Sequence, residues 1–224
     1  MMKFIEFAGP SCIGKSTVAK RYVSNLDINV VHSESFLHNK SCYFYMVILP
    51  LTIFRSTPHI LFLVSFFFKY SRKDLKNVRV LLRLMTYFIK YESYKFCKVG
   101  LVVQEGALHS LIGIEFKQGF INEAYRDFLK RHKNYYSIFI YFDIDYRTLE
   151  ARYVARCLFG KNESEKTVAL KHYKKVFDRH KELKMVLEND NNSTVLFVDG
   201  AKPIDEKVEE IEMFINKSLL QVSN

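Results

Sequence analysis

Short apolar runs alternate with longer stretches of helical period along most of the chain. The runs Lys3 to Ala8, Ile28 to His32, Gly100 to Gln104, Ser137 to Phe142 and Thr194 to Val198 are each bounded by turn, charge or helix-start signals, as buried strands are. Between the last two, Leu170, Tyr173, Val176, Phe177, His180, Leu183 and Leu187 recur at steps of three and four, with Lys and Glu on the other side. That spacing predicts an amphipathic helix over Glu163 to Leu187, and a similar pattern predicts another over Ile204 to Leu220. Strands alternating with helices in this way predict an α/β protein with a parallel sheet.

One stretch departs from the alternation. From Ser41 to Phe68 the only formally charged residue is Arg55. Pro50 and Pro58 interrupt the run, which predicts two short apolar helices with a break between them, each shorter than the roughly 20 residues a helix needs to cross a bilayer. Arg72 to Lys98 follows, with Leu75, Val78, Leu82, Met85, Phe88 and Ile89 forming a stripe among Lys and Arg. Residues 36 to 98 therefore read as a helical insertion between the second and third strands, far longer than one crossover helix needs. The expected role is a helical subdomain packed on the sheet or on a second copy in a homodimer. A Phe-rich face flanked by Lys69, Arg72 and Lys73 also admits peripheral contact with an anionic membrane, or the enclosure of a lipid-linked or glycan acceptor. Arg55, His59 and both prolines argue against a transmembrane hairpin.

The strongest chemical signal is Gly9-Pro10-Ser11-Cys12-Ile13-Gly14-Lys15-Ser16, which fits G-x-x-x-x-G-K-[ST] between an apolar strand and a helix starting at Thr17. Glycines let the backbone curl so that successive N–H groups face phosphate oxygens. The helix dipole adds to this field, Lys15 reaches the β- and γ-phosphates, and Ser16 supplies an oxygen to Mg²⁺. ATP with Mg²⁺ is the expected cofactor, held by Gly9 to Thr17.

Composition narrows the classes. With 8 Gly, 4 Pro, 20 Phe and 14 Tyr in 224 residues, disordered and collagen-like chains are excluded, and the length suits one domain, residues 1 to 224, with its insertion. A net charge of +10 favours polyanionic partners such as nucleoside triphosphates. The charge is scattered and no nucleic-acid module appears, so nucleic acid is not the expected partner. Cys12, Cys42, Cys97 and Cys157 lie far apart with no zinc spacing, so neither a disulfide framework nor a structural metal is expected, and a reducing cytoplasm is the default location. The first eight residues are too short an apolar run for a signal peptide.

Carboxylates close two strands. Glu105, after Leu101 to Gln104, stands where a P-loop protein places a Mg²⁺ ligand or a holder of its water shell, and Gly106 after it suits a tight turn. Glu34, after Val30 to Ser33, stands where a carboxylate takes or orients the proton of an attacking hydroxyl. His109 reads as a solvated loop residue. Beyond Asp143-Ile144-Asp145, Arg152 and Arg156 share one helix face; Gly160 to Lys166 reads as a mobile polar segment, and residues 147 to 166 as a lid. Lid arginines stabilise the charge that phosphoryl transfer spreads over equatorial oxygens. Arg147 and Lys171 read as solvated.

Taken together, Gly9 to Thr17, Glu34, Glu105 and the Asp143-Ile144-Asp145 stretch before Arg152 and Arg156 resemble the thymidylate kinase and deoxynucleoside kinase branch of the P-loop small-molecule kinases. The resemblance spans Met1 to about Glu34 and Gly100 onward. It implies a three-layer α/β P-loop fold with a five-stranded parallel sheet of order 2-3-1-4-5, and ATP-dependent transfer to a nucleoside or nucleoside monophosphate. It also implies that the backbone around Gly200 and Ala201, in Val198 to Pro203, touches the base. Two positions depart from the pattern: Gly106 stands where the family has an acceptor-gripping Arg, and Ser35 where it has Pro. Other readings stay open: a kinase for a sugar, glycan or lipid-linked acceptor at a membrane surface, or a nucleotide-dependent switch. The guanine-reading N-K-x-D setting is missing, which counts against a GTPase switch.

Overall fold

Strands predicted from apolar runs and helices predicted from period appear in the expected alternation in the computed structural model, which describes residues 4–25, 30–32, 49–96, 100–103, 106–132, 138–190 and 194–220. The elements in chain order are β1 (Phe4–Ala8), α1 (Lys15–Ser24), β2 (Val30–His32), α2 (Leu49–Tyr70), α3 (Leu75–Phe96), β3 (Gly100–Val103), α4 (Ala107–Ile112), α5 (Ile121–His132), β4 (Ile138–Asp143), α6 (Tyr146–Cys157), α7 (Glu163–Glu188), β5 (Val195–Asp199) and α8 (Ile204–Leu220). The strands run parallel in the order β2-β3-β1-β4-β5. In register, Ile5 lies beside Val102 on one side and Ile138 on the other. Glu34, Ser35 and Glu105 lie outside the described residues.

Alternation along β1 and β4 divides the core in two. Ile5, Phe7, Ile138, Ile140 and Phe142 face Val18, Ala19 and Tyr22 of α1, Tyr173 and Phe177 of α7, and Val208, Ile211 and Ile215 of α8. Phe4, Ala8, Phe139 and Tyr141 face the other way, onto α2, α3, α4, α5 and the far end of α7. Each fully buried aromatic or aliphatic side chain in these layers stabilises the fold by roughly 1.5–3 kcal/mol.

The insertion differs from its expectation in two respects. First, from Leu49 onward the apolar run forms one continuous helix, α2, with Pro58 in its interior. Pro50 occupies the first turn, where a missing N–H costs little, and Pro58 withholds only the bond to the Phe54 carbonyl. The Ser56 and Thr57 hydroxyls donate to the carbonyls of Thr52 and Ile53 just before it. Burial of Leu63, Phe66, Phe67 and Tyr70 then carries the helix through. By length and composition alone, Pro50–Tyr70 is long and apolar enough to span a membrane, because the helix continues through Pro58 and is not broken into two short halves. Second, α3 is rotated from the predicted stripe at its start. In its first half Leu75, Val78 and Leu82 are exposed and Leu81 and Leu84 are buried instead, whereas Phe88 of the predicted stripe is buried and Met85 packs against the same core, as expected.

The rotation follows from Asn77, which is fully buried. Its amide donates to the Ser71 hydroxyl and to the carbonyls of Arg72 and Glu115, and its Oδ1 accepts from the Glu115 N–H. A buried amide with such complete pairing fixes the helix against the 113–120 loop more firmly than an apolar contact would. Ser71 and Phe116 form an antiparallel bridge in the same place.

Candidate nucleotide site

Between β1 and α1 the chain reverses through backbone that only glycine adopts readily. Gly9 has φ 130° and Gly14 φ 98°; Cys12, at φ 65°, is the one non-glycine residue with positive φ among those described. A Cβ on Gly9 would lie 2.7 Å from the Phe142 carbonyl oxygen, so the loop can cross β4 only with glycine there. A Cβ on Gly14 would meet nothing within 4 Å. Gly14 borders open space, the cradle that a phosphate group would fill, and it is followed by the N-terminus of α1, whose dipole favours an anion.

Lys15 is buried and folded back over the loop, its Nζ donating to the carbonyls of Gly9 and Pro10 at 2.7 Å each. A cation held on backbone carbonyls beside an anion-binding helix end is ready to exchange those carbonyls for phosphate oxygens. Ser16 and Thr17 are exposed at the rim, so the Ser16 hydroxyl is free to turn toward a metal. A cavity of about 270 Å³ lies over the loop, lined by Ser11, Cys12, Gly14, Lys15, Ser16, Thr17, Arg156 and Cys157. Lined by a cationic side chain and helix-end N–H groups, it suits a polyphosphate with Mg²⁺ at its edge.

The end of α6, through Arg156 and Cys157, forms one side of this cavity, and α7 packs behind α6. Asp145 caps α6 by accepting from the Thr148 N–H at 2.9 Å; the Thr148 hydroxyl, with this backbone bond adding, holds the Asp145 carboxyl below its usual range. The Asp143 carboxylate takes the Lys184 ammonium at 2.5 Å. The Gly160 to Lys166 segment is not a free polar stretch: Asn162 and Glu165 form a reciprocal capping box that starts α7. Tyr153 of α6 stacks on Tyr173 of α7 at 3.8 Å, and the Tyr173 hydroxyl donates to the Ser11 carbonyl at 2.7 Å. The pair is thereby fastened to the phosphate loop.

The two predicted arginines part company. Arg156 lines the cavity, whereas Arg152 donates to the Gly200 carbonyl at 3.1 Å. Lys207 donates to the same carbonyl at 2.8 Å; burial, with the charge of Arg152 adding, holds the Lys207 ammonium below its usual range. The Gly200 N–H donates to the Asp143 carbonyl, and a Cβ on Gly200 would lie 2.6 Å from Ile13. The loop carrying Gly200 and Ala201 thus packs directly on the phosphate loop.

Sequence reasoning missed the other flank. Glu6, inside β1, is wholly buried, and its Oε1 accepts from the Leu108 N–H at 2.9 Å and the His109 N–H at 3.4 Å. Burial pushes its carboxyl up to about 8 despite those bonds, so it is largely protonated at neutral pH. A Cβ on Gly106 would sit 2.4 Å from the Glu6 carboxyl carbon. Gly106 has an ordinary negative φ of −87°, so glycine is required there by Glu6 and not by a turn. His109 sits in α4, not a solvated loop, with its ring 6.3 Å from that of buried His180. Burial, with the charges of Lys15 and His109 adding, holds His180 well below its usual range and hence neutral. A glutamate facing inward from a strand of otherwise apolar residues was the signal available in the sequence.

A further cavity of about 500 Å³ lies between the α2–α3 turn, the 113–121 segment and α7. Arg72, Lys117, Lys171, Lys174, Lys175 and Arg179 line it, with Glu115, Asp178 and Glu182. Burial works against the Glu115 carboxylate, but Lys175, Lys76 and Arg179 outweigh it and hold its pKa below the usual range. Lys171, read from sequence as solvated, belongs to this lining.

No sequence-family model matches the chain, and no curated protein matches it. Solved structures do. Deoxyadenosine kinase from M. mycoides with bound dATP superposes with TM-score 0.53 at 17% identity, over 96% of this chain and 100% of that one. The same kinase with products dCMP and a flexible dCDP bound gives TM-score 0.50 at 14% identity, over 96% and 99%. The chain shares the overall fold of these structures. At such identity the likeness is one of architecture, and the chemistry has to be argued from the residues above.

Proposed function

We propose that the chain is a kinase that transfers the γ-phosphate of ATP, with Mg²⁺, to a hydroxyl or phosphate of a small molecule, with a nucleoside or nucleoside monophosphate as acceptor. The observation that carries this reading is the glycine-shaped loop with Lys15 folded into it beside α1, in a fold shared with deoxyadenosine kinase. Lys15 and the loop N–H groups hold the phosphates, and Ser16 with Glu105 would hold Mg²⁺, which would supply positive charge against the polyphosphate. Arg156, already at the cavity, meets the charge that develops on the transferring group. Arg152, Gly200 and Ala201 form the base side, and Glu34 takes or orients the acceptor hydroxyl. The basic cavity beside α7 supplies room and positive charge for an anionic acceptor. Positioning, not covalent chemistry by the protein, lowers the barrier.

ADP release measured with ATP and Mg²⁺ across nucleosides, nucleoside monophosphates and sugars tests this, with Lys15→Ala as the blank. Acceptor-dependent release at least a hundredfold above the blank is expected. Release that no acceptor raises above the blank would remove the nucleoside, nucleoside monophosphate and free-sugar readings. A lipid-linked or glycan acceptor draws support from one observation, the exposure of Phe54, Leu61 and Phe68 on α2; cosedimentation with anionic vesicles is its test.

A further inference from the structure

The sulfur atoms of Cys12 and Cys157 lie 3.7 Å apart at the mouth of the phosphate loop, although 145 positions separate them in sequence. Cys12 belongs to the loop itself, at its strained left-handed position. Cys157 ends α6, directly after Arg156, and is exposed. Both line the cavity with Lys15 and Arg156. A disulfide places its sulfurs about 2.05 Å apart, so an approach of roughly 1.7 Å joins them, within the reach of side-chain rotation.

We propose that Cys12 and Cys157 form a reversible disulfide that pins the α6–α7 pair to the phosphate loop and closes the cavity. The oxidant is a peroxide. The exposed Cys157 thiol gives up its proton and its sulfur attacks one peroxide oxygen; the O–O bond breaks, the leaving hydroxide takes up that released proton as water, and Cys157 becomes a sulfenic acid. The Cys12 sulfur then attacks that sulfur, the S–O bond breaks and a second water leaves with the Cys12 proton. Two thiols lose two hydrogens and the peroxide is reduced to two waters. A dithiol restores both thiols by exchange through a mixed disulfide.

Crosslinking has a mechanical consequence. Tyr173 already ties α7 to Ser11, and a covalent tie from α6 to the next loop residue would fix both helices on the loop. Lys15 then stays on the Gly9 and Pro10 carbonyls. Exclusion of ATP by this closure rests on the function proposed above; closure itself does not.

The test treats the full chain with hydrogen peroxide and follows it in two ways. Peptide mapping under non-reducing conditions is expected to recover a Cys12–Cys157 crosslink, and amide exchange over residues 10–16 is expected to slow. ATP affinity is expected to fall at least tenfold and to return with dithiothreitol, while in Cys157→Ser the ratio of affinities before and after peroxide stays near one. Pairing of Cys12 with Cys42 or Cys97, oxidation without a crosslink, or unchanged loop exchange in crosslinked protein would overturn the proposal. So would an equal loss of affinity in Cys157→Ser. If the reduced chain binds no ATP, the functional reading fails, and the mapping and exchange results still decide the disulfide.

Discussion

On the nucleotide flank of β1, residues adjacent in sequence make the site: Gly9, Cys12 and Gly14 bend the loop, and Lys15 folds onto carbonyls five and six positions behind it. On the opposite flank the partners are distant. Glu6 fills the space that a side chain on Gly106 would need, and its carboxyl holds the start of α4. The first arrangement is specified by backbone geometry that few residues tolerate; the second exists only when two segments meet. The difference teaches which substitutions should act alone and which should act in pairs.

The largest expected effect breaks the distant pair. Gly106→Ala forces the buried Glu6 carboxyl off the α4 N–H groups and should cost about 3 kcal/mol of stability in urea unfolding. In a Glu6→Ala background the same change should cost about 1 kcal/mol or less, because the obstructing group is gone. Gly14→Ala, by contrast, introduces strain at a positive φ with nothing nearby to clash, roughly 1–2 kcal/mol that no second substitution relieves. Equal costs for Gly106→Ala in both backgrounds would erase the distinction.

Within the nucleotide flank, the two arginines separate by contact. Arg156→Ala should lower kcat about a hundredfold, some 2.7 kcal/mol of barrier, with little change in KM for ATP. Arg152→Ala removes a hydrogen bond to the Gly200 carbonyl and should raise KM for ATP only a fewfold. Steady-state kinetics on a confirmed acceptor would reverse these assignments if Arg152→Ala proved the kcat variant.

Glu6 also brings a pH dependence to stability. Its folded pKa, about 8, lies above the usual 4.5, so between these values the folded state binds more protons than the unfolded one. Stability from this group therefore falls as pH rises through that window, by at most about 1.4 kcal/mol per pH unit. His180 acts in the opposite sense, since its pKa is depressed on folding and its contribution is lost as pH falls below about 6.5. The difference between the parent and Glu6→Gln isolates Glu6: it should shrink from pH 5 to pH 8. A difference independent of pH would mean that Glu6 is ionised when buried.

What could be seen in the sequence follows the same division. The strands, α7, α8 and the loop from Gly9 to Ser16 were legible because their signals are periods or short motifs. The rotation of α3 was not, because Asn77 reads as a surface residue until the Glu115 backbone arrives to bond it. The continuity of α2 through Pro58 was hidden for a similar reason: burial of Leu63, Phe66 and Phe67 against distant helices outweighs one lost hydrogen bond. Glu6 was visible only as a carboxylate in an apolar strand, and its partner Gly106 lies a hundred positions away until the fold brings them together. The meeting of Cys12 and Cys157 depends on α6 returning over the loop, and no local pattern announces it.

The central claim is that the loop from Gly9 to Thr17 grips a triphosphate, and titration calorimetry of the reduced, folded chain with ATP and Mg²⁺ tests it most directly. Saturable heat from a single site, abolished in Lys15→Ala with the fold intact, is the expected result. A folded parent chain that gives no heat with ATP, or a Lys15→Ala chain that binds as tightly as the parent, would contradict it.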